Sequence, residues 1–183
     1  MEFLVRPAEE LDLGGIVEVY NHYVVHTPMT FDTAPAIAQD RRAWFDEHRR
    51  EGPHRLIVAV DRNRRVLGWA STSSFRPRAA YATTVEASVY CRAGFTRLGI
   101  GSRLYSSLFD SIASEDVERI VAGITLPNPA SVALHRNFGF QPVGTFTRVG
   151  RKFGEYWDVA WFERPLRTDP AAGPRRDGTG PTE

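Results

Sequence analysis

Apolar and polar positions alternate from Thr84 to Cys91. Thr84, Glu86, Ser88 and Tyr90 share one side, and Val85, Ala87, Val89 and Cys91 the other. A period of two rich in β-branched residues predicts a strand with one apolar face. From Ile100 the period changes: Ile100, Leu104, Leu108 and Ile112 form one stripe of an amphipathic helix. A glycine-containing loop, residues 92–101, lies between strand and helix. This order of strand, turn and helix gathers unpaired backbone N–H groups and the positive end of a helix dipole at one spot. Such a spot suits a phosphate. The loop and its edge carry Arg92, Arg97 and Arg103, more positive charge than a turn needs, and the strand carries one carboxylate, Glu86, among small and apolar neighbours.

The same patterns place the rest of the chain around this unit. Residues 3–6 predict a first strand, ended by Pro7. Residues 8–26 predict one or two helical turns and then a longer helix, with Leu11, Ile16, Val19, Tyr20 and Tyr23 buried; Gly14 and Gly15 weaken its first half. Residues 27–35 read as a loop with Met29, Thr30 and Phe31 extended. Residues 36–50 predict a second helix with Ile37, Trp44 and Phe45 inward, terminated by Gly52 and Pro53. Residues 55–60 and 66–75 predict an antiparallel hairpin across a polar turn. Residues 117–126 read as a strand broken by Pro127-Asn128-Pro129. A short helix over residues 130–138 stops at Gly139. Residues 141–149 and 156–162 predict two last strands. The order β-α-α-β-β-β-α-β-α-β-β implies a mixed α/β fold with an antiparallel centre.

Length and charge narrow the function classes. At 183 residues the chain predicts one domain, residues 1–167, with a core of useful size. Residues 168–183 lack any large apolar side chain and predict a disordered tail. The net charge of +1 gives no global field for nucleic acid or membrane, and Arg175-Arg176 make a small electrostatic footprint. One cysteine, Cys91, excludes an internal disulfide framework and fits a reducing cytoplasm; on the apolar side of its strand it reads as an inert thiol. No signal-peptide pattern or membrane-length apolar run is present. His22, His26, His48 and His54 show no metal-ligand spacing, so no metal is expected.

Several stretches occur together in a recognisable order: Asn21-His22 with His26-Thr27, Arg76-Pro77-Arg78 with Tyr81, Thr84-Val85-Glu86 with Ser88-Val89-Tyr90, Arg97-Leu98-Gly99-Ile100-Gly101-Ser102, Asn128 with Ser131 and Leu134-His135, Phe138-Gly139-Phe140, and Lys152 to Gly154 before Trp157-Asp158. From Val5 to Leu166 the chain resembles the GNAT family of N-acetyltransferases, and within it the phosphinothricin and methionine sulfoximine acetyltransferase type. The resemblance implies the acyl-CoA N-acyltransferase (GNAT) fold, a mostly antiparallel sheet whose two central strands splay apart, flanked by helices. It implies acetyl-CoA as cosubstrate, with its pantetheine arm against the backbone of Val89, Tyr90 and Cys91. It further implies a pyrophosphate held by the N–H groups of Arg97, Leu98, Gly99, Ile100, Gly101 and Ser102, with Asn128 and Asn137 as further cofactor contacts. One departure stands out: Thr96 occupies a position where the family usually has Gln or Arg. Relatives commonly form homodimers.

The resemblance also assigns roles. Glu86 becomes the general base that frees an acceptor amine of its proton. Apolar surroundings would raise its pKa toward working pH. His135 stands where many members have a tyrosine and is a candidate acid for the leaving thiolate; packing on a short helix is the equal alternative. Arg76, Arg78 and Tyr81 precede the base and suit an anionic group on a small amine acceptor, with Lys152 as a weaker substrate contact. The alternatives are a polyamine, an aminoglycoside or a protein N-terminus as acceptor, or a non-catalytic acyl-CoA-binding domain. The paired arginines argue against cationic acceptors, and an intact Glu86 disfavours a non-catalytic domain.

Overall fold

The computed structural model describes residues 2–167; the expected tail, residues 168–183, lies outside the described residues. Seven strands form one sheet: β1 (Leu4–Pro7), β2 (Leu56–Val60), β3 (Val66–Ser74), β4 (Thr84–Cys91), β5 (Arg119–Thr125), β6 (Gln141–Lys152) and β7 (Glu155–Pro165). Their order across the sheet is β1-β2-β3-β4-β5-β7-β6. Neighbours are antiparallel except β4 and β5. That parallel pair needs a crossover, and helix α3 (Ile100–Ser111) supplies it.

The alternation in β4 works as the sequence predicts. Val85 and Ala87 are buried in the larger core, where the α3 stripe of Ile100, Leu104 and Leu108 meets Ile120, Phe140 and Phe162. The opposite face of the sheet is covered by α1 (Leu13–His26) and α2 (Arg42–Asp46), around Ile16, Val19, Val58 and Trp69. α4 (Pro129–Asn137) starts where Asn128 caps it by accepting a hydrogen bond from the N–H of Ser131, as an N-cap asparagine does.

Three expectations are corrected. Leu11 lies in a 3-10 turn before α1 and is exposed, because that turn brings Asp12 inward, where its carboxylate accepts from Arg6 and the Glu9 N–H; Gly14 and Gly15 lie inside α1. The helix expected over residues 36–50 shrinks to a 3-10 turn and the short α2, with Ile37 exposed. Its end has a cause. The His48 ring takes the Trp44 carbonyl that the His48 N–H would bond in a continuing helix, and that N–H turns to Phe45 instead. The last two strands are longer than expected and meet at a tight turn beside Gly154.

β4 and β5 are paired only at Thr84↔Arg119, Val85↔Ile120 and Glu86↔Val121. Beyond Glu86 they part. β4 stays bonded to β3 through Cys91, and β5 stays bonded to β7 through Thr125. The sheet therefore opens between its two central strands, as the resemblance implied.

Candidate active site

The opening is bordered on one side by a cleft of about 350 Å³. Val89 and Cys91 of β4, Arg97, Gly99, Gly101 and Ser102 of the loop and helix start, and Asn128 and Asn137 at the two ends of α4 line it. The loop earns its shape from left-handed residues: Gly94, Arg97 and Gly99 have φ of 82°, 63° and 76°. Gly99 is the N-cap of α3, so no side chain satisfies the first N–H groups, and no acid occupies the first turn. Free amides and a helix dipole thus face the cleft together.

Of the three arginines counted around this loop, one serves it. Arg97 lines the cleft. Arg92 is buried, paired with both carboxylate oxygens of Glu18 at 2.6 and 2.9 Å, with its Nε donating to the Val66 carbonyl. Arg103 lies over the Phe3 ring, 4.4 Å from its centroid. Leu98 and Tyr90 do not line the cleft. Leu98 is exposed, and the Tyr90 ring turns into the aromatic group of Tyr20, Tyr23 and Trp69. Cys91 is pushed up to about 11 by burial and is an inert thiol. Its carbonyl already accepts a hydrogen bond from the Tyr23 hydroxyl at 2.6 Å. Tyr23 itself lines the cleft, a contact that the helical pattern of α1 disguised as plain core.

Glu86 points to the other face of β4. It borders a second cavity of about 400 Å³, with Met29, Thr30 and Phe31 of the loop after α1, Arg76, Gly123 and Thr125 of β5, Phe146 and Val149 of β6, and Val159 and Trp161 of β7. Burial raises its pKa above the ordinary glutamate range, and the charge of Arg76 opposes that rise. The wall at Phe31 depends on Gly150, since a Cβ there would overlap the Phe31 ring. Asn128 joins the two cavities: its Nδ2 reaches the Met29 sulfur at 3.0 Å.

Arg76 also borders an apolar cavity of about 530 Å³ with Phe75, Tyr81, Arg119 and Trp161. Arg119 was missed by the sequence reading because it opens a strand that looks purely structural. Arg78 is exposed and borders neither cavity. Lys152 is buried, and its ammonium donates to the carbonyls of Thr30 at 2.7 Å and Tyr23 at 3.4 Å. The structure thus places it behind the Met29–Phe31 wall, where it fastens that wall without entering the cavity. His135 is also buried. Its Nδ1 donates to the Ser131 carbonyl at 2.8 Å, and its Nε2 accepts from the Tyr105 hydroxyl at 2.8 Å. Burial lowers its pKa. Both nitrogens are thus engaged, and His135 lines neither cavity.

The profile of the Acetyltransferase (GNAT) family matches residues 16–140. The chain is 54% identical over 166 residues to a phosphinothricin N-acetyltransferase of Streptomyces coelicolor, covering 90% of this chain and 97% of that one. It is 36% identical over 170 residues to an L-methionine sulfoximine/L-methionine sulfone acetyltransferase of Pseudomonas paraeruginosa, covering 93% of this chain and 97% of that one. The crystal structure of a GNAT superfamily phosphinothricin acetyltransferase from Sinorhizobium meliloti in complex with AcCoA matches with a TM-score of 0.86 at 31% identity, covering 97% of this chain and 95% of that chain. The chain belongs to the acetyltransferase (GNAT) family. It is an N-acetyltransferase, and within the family it is similar to enzymes of the phosphinothricin type. Among the described residues no helix is long and apolar enough to cross a membrane, and no group of three or more His, Cys, Asp or Glu side chains could hold a metal ion.

The raised pKa of Glu86 has a consequence for folding. Such a group contributes most to stability below the unfolded pKa, where it is protonated in both states, and loses that contribution as pH rises through the folded pKa. At neutral pH the native fold therefore carries a charge it disfavours. Glu86→Gln is expected to raise the melting temperature at pH 7, with the difference vanishing below the ordinary glutamate range. A variant equally or less stable than wild type at pH 7 would contradict this.

Proposed function

We propose that the protein transfers the acetyl group of acetyl-CoA to the α-amino group of a small amino-acid-like acceptor, with Glu86 as general base. One observation carries this reading: Glu86 is the last β4 residue paired to β5, and the sheet opens immediately after it. A donor approaching along the Val89 and Cys91 face and an acceptor in the Glu86 cavity meet through that opening. The AcCoA complex of the Sinorhizobium meliloti relative supports the choice of donor.

The chemistry follows from this placement. An α-amine is mostly protonated near neutral pH, and attack needs its lone pair. The Glu86 carboxylate removes the proton, directly or through a water, and its raised pKa brings its basicity toward that of the task. Charge developing on the thioester oxygen requires a donor fixed in advance. The Val89 N–H, on the strand edge bared by the divergence, is the group we assign. Arg76 supplies positive charge to the acceptor cavity, and Arg119 lies in the adjoining one. Together they suit an acceptor with a carboxylate or phosphinate. The names of the Streptomyces and Pseudomonas relatives support an amino-acid analogue.

We also place a second copy of the chain against the β6–β7 hairpin. β6 is an edge strand exposed along nearly its whole length, and Val143, Phe146, Val149, Phe153 and Tyr156 are all at least half exposed on it, its turn and its partner. An apolar edge of this kind invites pairing, and an isologous dimer covers it with itself.

Three outcomes test this reading. Glu86→Gln should lower kcat about 10²–10⁴-fold, the range for a general base, while acetyl-CoA binding measured by calorimetry stays within a few-fold of wild type; a variant retaining most of its rate removes Glu86 as the base. Arg76→Ala should raise KM for acidic amino acids well above any change for acetyl-CoA, and Arg78→Ala should do so less, since its side chain reaches neither cavity; equal effects on acceptor and donor would refute the assignment. Light scattering should give the mass of a dimer, and a monomeric mass would refute the hairpin contact.

A further inference from the structure

On the face of the sheet that carries Glu86, a second set of polar groups stands behind it. Ser73 of β3 is the cross-strand partner of Glu86, and such antiparallel partners have Cβ atoms about 4.5–5.5 Å apart on the same face. Its Oγ lies 3.1 Å from Nε2 of His48. The other ring nitrogen, Nδ1, is 2.8 Å from the Trp44 carbonyl. A carbonyl only accepts, so Nδ1 carries the hydrogen, and Nε2 of the neutral ring can only accept. The single hydroxyl hydrogen of Ser73 is therefore spent on His48. Toward Glu86, Ser73 offers lone pairs and no donor. The Glu86 side chain makes no hydrogen bond among the described residues, to Ser73 included, and the charge of Arg76 acts on it.

A cavity of about 130 Å³ adjoins Ser73, lined also by Ser71, Ser88, Trp69 and Tyr90 among others; Glu86 does not border it. The Trp69 indole N–H is buried there without a partner. Such a cavity is roomy and polar enough for water. Ser73 and Ser88 flank Glu86 on its own face, one across the ladder and one two residues along.

We propose that Ser73 and His48 act as a relay behind the catalytic base, receiving the proton that Glu86 takes from the acceptor amine. The proposal rests on the assignment of Glu86 as base. When the acceptor N–H bond breaks, its electron pair stays on nitrogen and Glu86 becomes a carboxylic acid. That acid now has a hydrogen to donate to the waiting lone pair of Ser73, directly or through one bridging water. Transfer along the line breaks the Glu86 O–H bond, gives Ser73 that proton and moves the Ser73 hydroxyl proton to Nε2. Carboxylate and imidazolium result, with charge conserved, and the ring, partly open to solvent, returns the proton there. Ser73 and His48 are positioning residues, since neither borders the acceptor cavity.

The relay works only while His48 is neutral. Burial lowers its pKa; the Trp44 carbonyl and Glu47 act to raise it and His54 to lower it. Burial raises that of Glu86. The two titrations thus move toward each other from the ordinary values of 6.5 and 4.5. The acid limb of kcat, measured with both substrates saturating, should then steepen toward two protons over the roughly tenfold of rate that the relay supplies and return to one proton below it.

Ser73→Ala and His48→Phe should each lower kcat about tenfold, the worth of one hydrogen bond, leave both KM values within twofold, and reduce the acid limb to a one-proton slope. The double variant should be no slower than the slower single variant, as for groups acting as a unit, and Ser73→Thr, which keeps a hydroxyl, should restore rate and slope. Unchanged kcat, losses that multiply in the double variant, or a lower kcat with an unaltered limb would overturn the relay. If Glu86→Gln abolishes turnover while these variants behave as wild type, the relay fails and the base stands; if Glu86→Gln stays active, the base assignment itself fails.

Discussion

The structure depends on one interrupted ladder. Three residue pairs tie β4 to β5, and then the strands part. Main-chain groups past Glu86 on that edge of β4 lose the partner that a continuous sheet would give, and a buried unpaired peptide group costs about 1–3 kcal/mol. The molecule limits that cost from outside the gap. β3 holds β4 along its whole length, and β7 holds β5. The Tyr23 hydroxyl satisfies the Cys91 carbonyl at the far end. What remains is an edge shaped for an extended chain with amide groups of its own.

The interruption also fixes where chemistry can happen. Glu86 belongs to the last paired step, so its backbone is held from both sides by β3 and β5. Val89 and Cys91, a few residues on, face the cleft on the opposite side of the strand. Period-two alternation thus separates the acid from the proposed donor contacts by one strand thickness. The proposed base, held this way beside an open edge, needs no loop movement to be placed.

Sequence pattern revealed this frame because burial and period are local properties. The alternation of residues 84–91, the α3 stripe and the glycine at the helix start were legible without contacts. Side-chain commitments were not legible, because they are made with residues far along the chain. Arg92 counted toward the positive charge around the loop and is consumed by Glu18, 74 positions away. Lys152 looked like a substrate contact and is consumed by carbonyls of the Tyr23–Thr30 region. His135 became a core residue because Tyr105 takes one of its nitrogens. His48 drew notice only as a non-ligand for metal, since its pairing with Ser73 is created by the sheet register and the early end of α2.

The same distinction separates the two halves of the reaction. The donor side presents main chain: left-handed loop residues, a helix N-terminus and a bare strand edge. Main-chain contacts survive many substitutions, so they define a family better than a substrate. The proposed acceptor side presents side chains from six separate segments, and its wall at Phe31 stands on a single glycine. There one changed residue alters cavity shape or charge without disturbing the sheet. On the proposed assignment, selectivity for the acceptor resides in Phe31, Arg76, Phe146 and Trp161 more than in the fold, and proteins sharing this sheet can differ in the amine they accept.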